Sequence, residues 1–172
     1  TPYAGAVRHI KIASGFGTNI FNGSIVNIGT AGTIEVVTDI GDNSDQFPAG
    51  VIGVFVGCTY TDPTSKNKTF SNHWPTGTVA SDAMAYVVDD PNVLFQVQAD
   101  NTVAQTALGG NAPLAAVQST STGDTTTGNS TTALDADEVT TATVAFRIVD
   151  FVESPDSTVG DAFTDLIVKF NA

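Results

Sequence analysis

Apolar residues in this chain recur mostly at every second position, in short runs broken by Gly, Pro, Asn and Asp. A period of two is the signature of strands with one buried face. Residues 86–98 set the pattern. Tyr86, Val87 and Val88 form one apolar run, and Asp89-Asp90-Pro91 interrupts it with turn chemistry. Val93, Phe95 and Val97 then alternate with Leu94, Gln96 and Gln98. The spacing predicts two short strands around a tight acidic turn, at the centre of one β-domain.

The same reading extends along the chain. Residues 1–15 form an N-terminal arm with Arg8, His9 and Lys11 clustered in it. It is either an edge strand, with Val7, His9 and Lys11 on one face, or an arm that orders on a partner. Asn22-Gly23 between Ile20-Phe21 and Ile25-Val26 predicts a hairpin, because both turn residues accept positive φ. Residues 29–32 are a second turn, and residues 33–40 read as a strand. Residues 41–50 are a polar loop. Residues 51–60 carry few polar side chains, which predicts a strand buried on both faces or packed against another subunit. Residues 61–77 read as a long loop holding Lys66, Lys68, Phe70, His73 and Trp74. Loops of that length are usually functional or poorly ordered. Phe70 and Trp74 are its candidate anchors, against the body or a partner.

Residues 100–109 are the one helix candidate, with Asp100 or Asn101 as cap and Gly109 as stop. Residues 118–133 are a tract of Ser, Thr and Gly too poor in apolar surface to be core, hence a surface excursion or a flexible loop. Residues 140–152 and 163–170 close the chain as strands. About eight strands and at most one short helix predict an all-β fold, an antiparallel sandwich or barrel with long loops. Residues 16–172 form its single domain.

Composition narrows the function. The chain has 172 residues, 41% of them hydrophobic, enough for a core. It carries 18 acids against 6 bases, a net charge of −12. That balance disfavours nucleic acid, whose binding needs Lys and Arg on phosphates, and also disfavours an anionic membrane surface. No apolar run approaches the roughly 20 residues of a membrane-spanning helix. The start at Thr1 fits removal of an initiator Met and equally fits a cleaved signal. With Cys58 alone, no internal disulfide forms, and its apolar surroundings predict a buried small residue.

Candidate chemistry is sparse. His9 and His73 are the only histidines, and no Cys cluster accompanies them, so no zinc site is expected. There is no nucleophile elbow and no phosphate-binding loop, and Gly15-Phe16-Gly17 lacks the third glycine of a dinucleotide site. Asp89-Asp90 and Asp135, Asp137 and Glu138 are carboxylate groups in loops, which usually stay solvated. Asp42, Asn43 and Asp45 weakly suggest a calcium loop without its glycine and terminal Glu. Asn22, Asn67 and Asn129 begin glycosylation triplets that a Ser/Thr-rich chain produces by chance. No catalytic residue, metal or cofactor is expected, and the chain is read as a non-enzyme.

Several segments form a set. They are Thr1-Pro2-Tyr3 with the basic arm at Arg8, and Thr18, Asn19, Phe21, Gly23 and Val26 of a Thr-Asn-x-Phe-x-Gly-x-x-Val strand. Val51-Ile52-Gly53-Val54 and Trp74-Pro75 follow. Residues 89–98 match Asp-Asp-Pro-x-x-x-Phe-x-Val-Gln, the most specific piece. A Thr-Ala-Thr strand ending in Phe146-Arg147-Ile148 precedes a Pro and Gly loop and a close at residues 166–171. Together these segments resemble the head decoration, or capsid cement, proteins of tailed phages, and the resemblance implies a viral structural protein made in the host cytoplasm and bound to the outer surface of the virion. There it stabilises the head through protein–protein contacts with the major capsid protein. It also implies a homo-oligomer, for which a closed threefold ring is one simple arrangement. On that reading Arg8, His9, Lys11, Phe70 and Trp74 are the candidate capsid-contact or intersubunit residues. The competing expectation is a host-surface or carbohydrate-binding adhesin module of a virion, which needs several aromatic rings in a row on an exposed surface.

Overall fold

The computed structural model describes residues 5–38, 40, 46–47 and 50–171. Residues 1–4 of the arm and the Asp42, Asn43 and Asp45 calcium-loop expectation lie outside them. The fold is all-β, with two antiparallel sheets, as a β-sandwich has. Among the described residues ten strands occur in chain order: β1 (Val7–Lys11), β2 (Ile25–Ile28), β3 (Ile34–Val36), β4 (Val51–Thr61), β5 (Lys68–Ser71), β6 (Met84–Val88), β7 (Phe95–Gln98), β8 (Asn111–Ala112), β9 (Phe146–Phe151) and β10 (Asp165–Phe170). The chain divides into two compact units, one holding Thr1–Val37, Ala49–Asp90 and Gln118–Thr131, the other Thr38–Pro48, Pro91–Val117 and Thr132–Ala172.

The first unit contains the sheet β1-β6-β4-β2-β3. Its spine is β4, the nearly nonpolar run anticipated from the sequence. β6 pairs with one edge of β4 over Val54–Thr59, while β2 and β5 share the other edge end to end. Two glycines make this crowding possible. Gly53 has φ +159°, and a β-carbon there would collide with the Val88 carbonyl. Gly57 has φ +147° and sits where the β4–β6 register shifts. Cys58, Tyr60, Phe55, Ile10, Ala85 and Val87 point into the core with Trp74.

The low-complexity tract belongs to this unit over Gln118–Thr131 and is held there by hydrogen bonds rather than apolar burial. Gln118 is 1% exposed. Its Oε1 accepts from the Ile25 amide at 2.9 Å, and its Nε2 donates to the Ile25 and Val37 carbonyls at 3.1 and 2.7 Å. A fully paired buried amide of this kind fixes its surroundings. Asn19 and Asn72 donate to the carbonyls of Thr120 and Thr127.

The second unit contains β7-β10-β9-β8. Leu166, Val168, Phe146 and Ile148 face its interior, and the Phe47, Phe95, Phe146 and Phe170 rings pack at centroid distances of 4.7–5.5 Å.

Several local expectations change once pairing is known. The acidic turn at Asp89-Asp90-Pro91 does not close a hairpin. β6 lies in the first sheet and β7 at the edge of the second, so the chain changes unit between Asp90 and Pro91. Asn22-Gly23 does turn, with Gly23 at φ +97°, but its flanks pair elsewhere: Ile20 bridges Trp74, and β2 pairs with β3 and β4. The turn after residue 28 is the true hairpin, joining β2 to β3. The strand at residues 33–40 shortens to Ile34–Val36, and that at residues 140–152 to Phe146–Phe151.

Residues 61–77 are not one long loop, because β5 folds back onto β4. Residues 100–109 form only a 3-10 turn at Gln105–Ala107. Their backbone donors are claimed from outside, the Val103 amide by Thr164 Oγ1 and the Gly109 amide by the Ile148 carbonyl. The segment is thus tied to its neighbours at both ends, and only its middle closes short-range bonds, Ala107 to Ala104 and Leu108 to Gln105. Among the described residues no helix is long and apolar enough to cross a membrane.

Candidate functional site

The strand registers gather three aromatic side chains on the outward face of the first sheet. His9 on β1 lies opposite Tyr86 on β6, and Tyr86 lies opposite Gly57 on β4. Phe70 on β5 lies opposite Thr59, two residues farther along β4 and on the same face as Gly57. The His9 and Tyr86 rings meet edge to face at 4.4 Å, and the Tyr86 and Phe70 rings stack at 5.9 Å with planes 26° apart. Both arrangements suit the ring quadrupoles.

Phe70 leans across the vacancy left by Gly57. A β-carbon on Gly57 would stand 2.9 Å from Phe70 Cζ. The ring therefore covers bare backbone, yet the residue remains 64% exposed, and Val7 beside the row is 37% exposed. The Tyr86 hydroxyl donates to Thr59 Oγ1 at 3.3 Å.

Charges border this row. Lys68, on the face of Phe70, pairs with Asp82 at 2.9 Å, while Arg8, on the opposite face of β1 from His9, pairs with Asp89 at 3.0 Å. The Lys68 ammonium, then the Thr61 amide and hydroxyl, hold the Asp82 carboxyl well below the usual carboxylate range. Both pairs are solvated and screened, so they orient side chains more than they stabilise the fold. Lys11 shares the face of His9, and it makes no ion pair among the described residues.

Among the described residues no strand pairs with the outer edge of β1. β1 is the outermost strand, and the Ile12 amide donates to the Ala83 carbonyl at 3.1 Å. Antiparallel bonding alternates from there. Ile10 and Arg8 share bonded pairs with β6, while the backbone groups of Val7, His9 and Lys11 point away from the sheet.

Of the five residues singled out from sequence, the sheet brings His9 and Phe70 into one row through Tyr86, with Lys11 on the same face, while Arg8 projects from the opposite face of β1. Trp74 is a correction. It is fully buried, meets the Tyr60 ring edge to face at 5.4 Å and donates from Nε1 to the Phe16 carbonyl at 3.2 Å. Trp74 anchors the chain's own body and offers no surface to a partner. Tyr86 is the residue that sequence reasoning missed as a site. The alternation of Met84 and Tyr86 with the buried Ala85 and Val87 marks its face, but only the pairing supplies its neighbours.

Beneath the row, burial pushes the Cys58 thiol up to about 12, and its Sγ lies 3.5 Å from the His73 carbonyl. Burial also raises Tyr60, followed by the effects of Cys58 and Asp62, and lowers His73. Among the described residues no group of three or more His, Cys, Asp and Glu side chains converges as a metal site would.

Comparison with protein-family profiles, characterised proteins and solved structures gives no match to the chain.

Proposed function

We propose that this chain is a decoration protein of a phage head, docking on the major capsid protein through the outward face of its first sheet and stabilising the shell. The supporting observation is the exposed row His9–Tyr86–Phe70 beside an open strand edge. Aromatic side chains rimmed by charge are the usual anchors of protein interfaces, and an edge with unpaired backbone groups can accept a strand from a partner. The resemblance of residues 18–26 and 89–98 to head decoration proteins supplies the partner. A closed ring of copies on the head surface belongs to the same proposal.

Co-sedimentation with undecorated heads tests it. Wild-type protein pellets with heads and raises their melting temperature, since binding stabilises by mass action. Substituting Phe70→Ala together with Lys11→Glu abolishes pelleting while the protein remains folded. Unchanged head occupancy by that variant sinks the docking face. Deleting residues 1–12 is a poor test, because it removes β1 from the sheet.

One observation favours a second reading, a saccharide-binding adhesin module. Phe70 covers bare backbone at Gly57 and stays largely exposed, with the Thr59 and Tyr86 hydroxyls nearby, as a sugar platform requires. Binding to a glycan array, with no affinity for heads, selects that reading.

A further inference from the structure

Across the second sheet, Lys169 on β10 lies directly opposite Arg147 on β9. Directly opposed like charges destabilise a strand pair. The chain has 18 acids with which to neutralise its 6 bases. Arg8 and Lys68 are neutralised in this way. Neither Arg147 nor Lys169 makes an ion pair among the described residues. The carboxylates on the same face are Asp150, opposite Ile167, and Asp165, opposite Gln98. Asp150 accepts from the Phe151 amide at 2.8 Å, and neither acid reaches the two cations.

The cations border a shallow groove of about 320 Å³, whose remaining lining is Leu108, Gly109, Ile148 and Val149. Leu108 is 43% and Val149 39% exposed. The site thus offers two positive charges and an apolar wall. We propose that it binds an acidic side chain, together with its apolar neighbour, on a segment of a protein partner.

Charge complementarity selects this occupant. A polyanion such as nucleic acid is repelled at long range by the net charge of −12, whereas a single carboxylate feels mainly the nearest cations. A free phosphate would leave the Leu108 and Val149 wall uncovered. The site stands on the second sheet alone and holds whether or not the chain decorates a capsid.

The test is calorimetric titration at low ionic strength with an acetylated Glu-Leu-Glu peptide. The expected result is binding to wild type that weakens about tenfold or more in R147Q/K169Q, from loss of charge-assisted contacts, and is retained in R147K. A Gln-Leu-Gln peptide on wild-type protein should bind at least about tenfold more weakly, a comparison that requires no variant to fold. Equal binding of the two peptides overturns the proposal, as does undiminished binding by the double variant. Inorganic phosphate binding as tightly as the Glu peptide assigns the site to free oxyanions instead. A wild-type oligomer that ignores the peptide and dissociates on R147Q/K169Q substitution assigns it to a second copy. Either outcome overturns the acidic-segment assignment.

Discussion

Phe70 and Trp74 stand four positions apart in the sequence, and the first sheet sends them to opposite sides. Trp74 packs with Tyr60 inside the core. Phe70 packs with Tyr86 outside it. The two aromatic pairs use the same ring geometry for different ends. The inner pair excludes water from both partners and stabilises the fold. The outer pair leaves most of Phe70 wet, and gains its full hydrophobic value only when something covers it. Aromatic residues in a polar stretch therefore do not declare their role by type. The alternation of β4, with Tyr60 inward and Thr59 outward, decides it.

Trp74→Ala should show the difference most strongly. It empties a fully buried site and should destabilise the protein by about 3–5 kcal/mol in urea unfolding. It should also open Cys58, in the same core cluster, to alkylation at pH 8. In the wild type that thiol is buried with its pKa near 12 and should react only after unfolding. A loss no greater than that of a typical surface substitution would show that the inner pair is not core.

Gly57→Ala probes the junction of the two sides. The residue adopts φ +147°, and the added carbon meets the Phe70 ring. A cost of about 1–3 kcal/mol is expected from backbone strain, together with a displaced ring and weaker head binding. Wild-type stability and binding in this variant would remove the support assigned to Gly57.

Phe70→Ala should cost less than about 1 kcal/mol of stability and yet remove head binding. Thermal melts and pelleting, run on the same sample, separate the two effects. A large loss of stability would make Phe70 a fold residue like Trp74.

The smallest effect concerns pH. The Asp82 carboxyl is held below its ordinary value of 3.8. The unfolded state therefore takes up the proton first as pH falls, so this contribution is present above that value and lost below it. His73 is also lowered from its ordinary 6.5. Its contribution is complete above that value and declines as pH drops, because the unfolded imidazole accepts a proton that the folded one resists. Asp82→Asn should flatten the stability profile below about pH 4 and leave the shoulder below about pH 6.5 in place. An unchanged acid limb would show that the Lys68 and Thr61 contacts do not persist in solution.

Much of the strand content was legible locally. β1, β4, β6, β7 and β10 fall where alternation and composition place them, and the turn at residues 29–32 joins β2 to β3. The candidate site was half legible. Arg8, His9, Lys11 and Phe70 are all exposed or at the rim, while Trp74 is not. Hydrogen bonding was the least legible element. Gln118 begins a tract with the composition of a surface loop, yet it is the buried amide that ties β2 to Val37. Nothing in its neighbours announces that, because its partners lie 81 and 93 positions away.

Local patterning is enough to make this protein β-rich and acidic and to set where most strands run. These follow from period-two patterning, β-branched and aromatic enrichment, and turn residues, all of which act over a few neighbours. Only the tertiary structure decided that β6 and β7 belong to different sheets, that β5 shares an edge of β4 with β2, and that His9, Tyr86 and Phe70 meet. Strand pairing joins residues far apart in the chain. A shift of one residue in register would exchange the two faces, so the site exists only because non-local packing selects one register.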